Sequence, residues 1–285
     1  MTATAGGGAV ATGAARTGEP RAPRGFVAEW EAWQRERIAA AGAPYGPASL
    51  TLTGWLGDEP RAVPGLPGLW RSKGGAIVGS GFAAGAYTVP GVGPVSDEVT
   101  LAADGPAEIY AGERSIRRFA RGEQLALRVF DPAADGRRGL RAIAAYEPDE
   151  SWRLAARFEA DRVEREIELA DGYTQLAETS GAVVWVREGV EFRLTATLRP
   201  AGISIVFGDE TNGGESYGFR FLSAELPDTD GRTVLDFNRA YLPPCAFSDQ
   251  FVCPLPTREN RLPLPIRAGE RSVVREQAVS AVSGS

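Results

Sequence analysis

The 285-residue sequence contains no histidine. That absence removes Ser-His-Asp and Cys-His catalytic units, His-ligated haem, and iron held by two histidines and a carboxylate. Cysteine is nearly absent too. Cys245 and Cys253 cannot supply the four thiolate or imidazole ligands of a structural zinc, so no metal is expected. Lys73 is the single lysine among 31 basic residues, in the turn-like run Arg71-Ser72-Lys73-Gly74-Gly75 rather than in the apolar pocket that a Schiff-base lysine needs. No run approaches the roughly 20 apolar residues of a membrane-spanning helix, so a membrane partner is not expected. The 31 basic and 37 acidic side chains are mixed along the chain and sum to −6, without the basic excess of a nucleic-acid surface. The chemistry left to this chain runs on carboxylates, arginine, tyrosine, thiols, hydroxyls and the backbone.

Apolar residues make up 43% of the chain and charged residues 24%, enough for a sizeable core in one large domain or two modest ones. Residues 1–24 read as a disordered leader of Gly, Ala and Thr with scattered Arg16, Arg21 and Arg24. They lack the apolar stretch of a secretory signal, so the expected compartment is the cytoplasm, where the two cysteines stay reduced. Residues 25–42 form an amphipathic helix, with Phe26, Trp30 and Trp33 at i, i+4 and i+7 and Glu29, Glu31, Arg35 and Glu36 on the other side.

Beyond the helix the period becomes two. Leu50 and Leu52 alternate with Thr51 and Thr53, and Leu125, Leu127 and Val129 form a second such series. Leu140, Ala142 and Ala144 follow, then Trp152 to Phe158 and Val163 to Leu169 as two strands. Val190 to Leu198 alternates cleanly with Glu191, Arg193, Thr195 and Thr197, and Ile203 to Phe207 adds another strand. The expected fold is all-β with one N-terminal amphipathic helix: a β-sandwich-like region over 43–137, then a C-terminal barrel or sandwich over 138–276. A Pro-rich irregular segment closes the latter, and residues 277–285 form a disordered tail. Ala76-Ile77-Val78-Gly79-Ser80-Gly81 imitates a dinucleotide loop, but Tyr87 to Pro94 cannot supply the helix N-terminus that holds a pyrophosphate. It reads as a hairpin with tight turns, and no cofactor is expected.

The densest polar constellation lies at 207–270. Asp209-Glu210-Thr211-Asn212-Gly213-Gly214-Glu215 follows the Ile203–Phe207 strand, with Ser216–Leu222 as its return. Asn-Gly supplies turn chemistry, yet the run holds more polar groups than a turn requires. Asp236-Phe237-Asn238-Arg239-Ala240-Tyr241 leads into a stretch with six prolines between 242 and 266, which preclude helix and central strand. Asp209, Glu215 and Asp236 are the candidate acids and bases, with Glu270 as a further carboxylate. Arg220, Arg239 and Arg261 offer planar forks for a carboxylate, phosphate or sulfate. Asn212, Tyr217, Asn238 and Tyr241 complete the candidate binding set. The bland alternative is that the Asp and Arg side chains pair with each other and with loop backbone. Cys245, beside two prolines and without a histidine, reads as a buried inert thiol.

The run Asp236 to Glu270 strongly resembles the signature of the bacterial family known as domain of unknown function 1684: Asp-Phe-Asn-x-Ala-Tyr, Pro-x-Cys-Ala, Cys-Pro-Leu-Pro, Glu-Asn-Arg-Leu and Ala-Gly-Glu. Asp209, Thr211, Asn212, Gly213, Tyr217, Gly218 and Arg220 resemble the family's upstream motif. Leu242 stands where the family usually has Asn. Residues 50–135 resemble the family's degenerate forkhead-associated-like region only around Gly54-Trp55-Leu56. The resemblance implies a fold and a location, and no reaction. The residues themselves point to a metal-independent enzyme of bacterial metabolism, specialised metabolism included, performing ring closure, elimination or hydrolysis on a small anionic metabolite. The alternative is a non-catalytic β module that binds a ligand, a protein partner or a second copy of itself.

Overall fold

A computed structural model describes residues 25–276. The expected leader and tail lie outside the described residues. Helix α1 (Phe26–Ala41) is rich in Ala, Glu, Arg and Gln, which keep side-chain freedom in a helix, and it stops at Gly42 with Pro44 and Pro47 beyond. Its inward stripe runs through Phe26, Trp30, Trp33, Gln34, Arg37, Ile38 and Ala41. The expected apolar face is therefore interrupted by two polar side chains, Gln34 and Arg37, which also point at the protein.

Nine strands follow: β1 (Leu50–Leu56), β2 (Leu69–Lys73), β3 (Ala76–Ser80), β4 (Tyr87–Val89), β5 (Gly93–Val95), β6 (Glu98–Leu101), β7 (Glu108–Ala111), β8 (Arg114–Arg121) and β9 (Gln124–Phe130). They form a sheet of order β1-β9-β8-β7-β4-β5 and a smaller sheet of order β2-β3-β6. Trp70, Ile77, Tyr87, Leu101, Ile109, Ile116 and Leu127 fill the core of this half. Burying each such aliphatic side chain contributes about 1.5–3 kcal/mol. The dinucleotide-like run Ala76–Gly81 is instead strand β3 and the turn after it. Gly74 and Gly75, at φ +57° and +77°, turn β2 into β3. A Cβ at Gly79 would fall 2.5 Å from the Trp70 ring.

The second half comprises β10 (Leu140–Ala145), β11 (Arg153–Glu168), β12 (Thr174–Arg187), β13 (Val190–Arg199), β14 (Gly202–Phe207), β15 (Arg220–Ala224), β16 (Arg232–Asp236) and β17 (Glu270–Arg275). The two strands expected between 152 and 169 are one strand, β11, interrupted by an irregularity between Ala160 and Val163. The return of the β14 hairpin begins at Arg220 rather than Ser216, because residues 216–219 remain in the connecting loop.

The main sheet has the order β15-β14-β13-β12-β11-β16 and curls into a half-barrel, so that its edge strands approach and Thr233 Oγ1 donates to the Glu225 carbonyl at 3.0 Å. Trp152, Phe158, Trp185, Leu194, Ile205, Phe207, Leu222 and Phe237 fill its concave side. Leu262, Ile266 and Ala268 of the Pro-rich segment enter the same core. That segment is thus a strap built into the half-barrel. β10 and β17 pair separately, and a third cluster (Ala41, Ala48, Ile143, Leu242, Phe247) seats α1 against them. No helix among the described residues is long and apolar enough to cross a membrane.

Candidate functional site

An irregular strap carries backbone donors and acceptors that no sheet satisfies, and each must find a partner if buried. The signature residues supply those partners. Arg220 is wholly buried; its Nη2 donates to Asp209 Oδ2 at 2.6 Å and to the Ile266 carbonyl at 2.8 Å, and its Nη1 donates to the Ala268 carbonyl. The other Asp209 oxygen accepts the Thr211 amide at 2.8 Å and the Ile266 amide at 3.3 Å. Asn260 performs the same task on the opposite side. Its Oδ1 accepts from the Thr195 amide and hydroxyl, both at 2.8 Å, and its Nδ2 donates to the carbonyls of Thr195 and Val206. Glu270, wholly buried, accepts from Arg37 of α1 at 2.8 and 3.1 Å and from the Leu242 amide at 2.7 Å. Gly269 at φ +79° allows this approach, since a Cβ there would sit 2.5 Å from the Ala240 carbonyl.

The sequence-predicted residues therefore separate. Asp209 and Arg220 form a closed ion pair with no solvent-exposed side-chain surface. Asn212 closes its own loop: its Oδ1 accepts the Asp209 amide at 2.6 Å, and its Nδ2 donates to Ser216 Oγ and the Tyr217 carbonyl. Glu215 is exposed and held by Arg267 at 2.7 Å. That hydrogen bond keeps its carboxyl below the usual range, which is the wrong direction for a base at neutral pH. The Tyr217 hydroxyl donates toward Cys245 Sγ at 3.6 Å, and burial followed by the Cys245 contact pushes its pKa well above the ordinary phenol value. Asn238 is wholly buried and brackets Asp149, accepting from its amide and donating to its carbonyl, each at 2.9 Å.

Asp236 and Arg239 lie elsewhere, on the outer side of the sheet. Leu235 points into the core, so its neighbours Val234 and Asp236 point out. Asp236 caps the short turn Phe237–Arg239, its Oδ1 accepting from the Asn238 amide at 3.1 Å and from Asn238 Nδ2 at 3.0 Å. Its Oδ2 is left facing Arg239 Nε at 3.8 Å, a loose contact. Arg153 is the cross-strand partner of Asp236 and exposes its guanidinium on the same side. The first turns of α1 roof this region, fixed by the Trp30 indole donating to the Asn238 carbonyl at 3.0 Å. The result is a cleft of about 250 Å³ lined by Phe26, Glu29, Trp30, Arg153, Ser223, Ala224, Glu225, Val234, Asp236 and Arg239. Tyr241 borders it through a 3.4 Å contact between its hydroxyl and Ser223, with Arg37 over its ring at 4.8 Å.

This cleft unites two of the predicted residues with several that sequence reasoning missed. Arg153 is visible there only through its register with Asp236. Trp30 carried a signal through its place on the inward stripe of α1, which it shares with Arg37, bound outside the cleft lining to Glu270. Among the described residues no cluster of His, Cys, Asp and Glu is arranged to hold a metal.

Comparison with known proteins agrees with the signature. A search of the curated proteins finds no match. The solution NMR structure of an uncharacterised protein from Haloarcula marismortui is similar at 31% identity, over 46% of this chain and 77% of that chain, with a TM-score of 0.39. The family described as "Protein of unknown function (DUF1684)" matches residues 138–271, which span the half-barrel and its strap. With Asp209, Arg220, Asn260 and Glu270 of its motifs accounted for as the polar staples of that strap, this chain belongs to the DUF1684 family.

Proposed function

We propose that this protein binds a small anionic molecule in the cleft under α1 and acts on it without a metal. Arg153 and Arg239 hold the anion, and Asp236 serves as the acid or base. The observation that carries the reading is the meeting of two guanidinium groups, neither held by a close carboxylate, above one carboxylate oxygen that is only loosely engaged. Arginine binds planar anions through paired donors, and a partly enclosed site strengthens that attraction relative to water. Glu29 and Glu225 on the rim favour a ligand that also carries a donor or a positive group, such as an amino-acid-like zwitterion.

A thermal-shift screen with sulfate, phosphate, short carboxylates and amino acids tests this. At one hundred times its dissociation constant a ligand stabilises the fold by about 2.7 kcal/mol. Arg239→Ala and Arg153→Ala should each abolish most of that response, whereas Asp236→Asn should keep or strengthen it by removing a negative charge. A folded protein that responds to none of these anions, or whose response survives both arginine changes, would refute the assignment.

A further inference from the structure

Cys245 and Cys253 lie apart from the cleft and play no part in the function proposed for it. Both are free thiols. Cys245 is half-buried and lines a crevice of about 550 Å³ beside Leu50, Thr51, Ser248 and Arg275, whereas Cys253 is buried at 5% exposure. The Cys245 amide donates to Cys253 Sγ at 3.4 Å, which places the two cysteines side by side. Tyr217 points its hydroxyl at Cys245 Sγ from 3.6 Å. Pro243 and Pro244 before one cysteine and Pro254 after the other hold their backbones in place.

We propose that this pair is a modification site, in which a peroxide oxidises Cys245 and Cys253 resolves the product to an intramolecular disulfide. Cys245 lines the crevice, the buried Cys253 sulfur lies against the Cys245 amide, and the Tyr217 hydroxyl donates to the attacking sulfur. The neighbouring Cys253 thiol, and after it the Tyr217 hydroxyl, outweigh burial and lower the Cys245 pKa to about 7, while the Cys245 thiol and burial push Cys253 above the ordinary thiol range. The two roles are therefore unequal, as nucleophile and resolving thiol must be.

In the first step the Cys245 thiolate attacks one peroxide oxygen. The O–O bond breaks, the departing alkoxide or hydroxide takes a proton, and sulfur is oxidised by two electrons to the sulfenic acid. In the second, the Cys253 sulfur attacks Cys245, the S–S bond forms and the S–O bond breaks. The leaving hydroxide departs as water with the proton released by Cys253. Two equivalents of an external thiol, or one dithiol, then exchange with this disulfide, are oxidised to their own disulfide, and restore the two cysteine thiols.

Intact-mass analysis of the full chain, treated with hydrogen peroxide and then denatured in N-ethylmaleimide, decides the matter. The wild-type protein should lose two hydrogens and take up no maleimide, and dithiothreitol should restore two adducts. With dimedone present, Cys253→Ser should trap one adduct on Cys245 and Cys245→Ser none, while Tyr217→Phe should slow thiol loss several-fold. Two maleimide adducts persisting after peroxide, a disulfide found only between chains, or dimedone on Cys253 would overturn the proposal. The wild-type result stands even if a variant fails to fold.

Discussion

The buried Asp209–Arg220 pair gives the sharpest test of how this fold is held. In Asp209→Asn the guanidinium stays enclosed, with carbonyl acceptors from residues 266–270 but no counter-charge. The new amide also brings an N–H toward groups that are themselves donors, Arg220 Nη2 on one side and the Thr211 and Ile266 amides on the other. Both side chains are fully enclosed, so water cannot repay the lost attraction. Removing one partner of such a pair costs about 3–5 kcal/mol. For a chain of this size each kcal/mol moves the melting temperature by about 2–4 °C, so a fall of roughly 10 °C is expected. Urea denaturation followed by tryptophan fluorescence measures it directly, and an unchanged m-value would show that only stability had changed. Asp209→Leu combined with Arg220→Met should recover only part of the loss, because Ile266 and Ala268 would then keep unsatisfied carbonyls. A loss below about 1 kcal/mol for Asp209→Asn would refute the clamp. A stable variant that no longer responds to anions would instead move the binding site to this pair.

Two further perturbations follow from the same reasoning. Arg37→Met strands the enclosed Glu270 carboxylate with only the Leu242 amide; because Arg37 is 23% exposed and water can reach the gap, the expected cost is about 3 kcal/mol, near the lower end for a broken buried pair. Limited proteolysis should then cut near α1 before the half-barrel, and equal resistance of both would count against the staple. Glu108 supplies a pH dependence: burial opposes ionisation, but hydrogen bonds from Tyr110, Ser115 and Arg117 outweigh it and hold the carboxyl below its ordinary value of 4.5. Its folded pKa is depressed, so its contribution is present above the unfolded value and is lost as pH falls through the folded one. The group is partly exposed, so solvent screening limits that contribution to about 1 kcal/mol. Glu108→Gln should flatten this part of the acid limb of stability against pH, and an unaltered limb would show that the hydrogen bonds do not discriminate between the two protonation states.

Much of this protein was determined by local sequence. Period-two alternation marked β1, β9, β10, β13 and β14, because a half-buried strand sends successive side chains to opposite faces wherever it ends up. The prolines between 242 and 266 announced an irregular strap by the same kind of local argument, since proline lacks the amide that helix and central strand require. The missing histidines excluded whole chemistries before any fold was known. What only tertiary structure decided is which polar residues are spent on structure and which are left open. Asp209 and Asp236 look alike in sequence, each beginning a short polar run after a strand. The half-barrel encloses one against Arg220 and the strap, while the pleat turns the other outward beneath α1. Arg153 joins Asp236 through a strand pairing 83 positions away in register, and Arg37 reaches Glu270 across 233 residues. Such partnerships depend on burial and long-range register, which arise only when distant segments share one core.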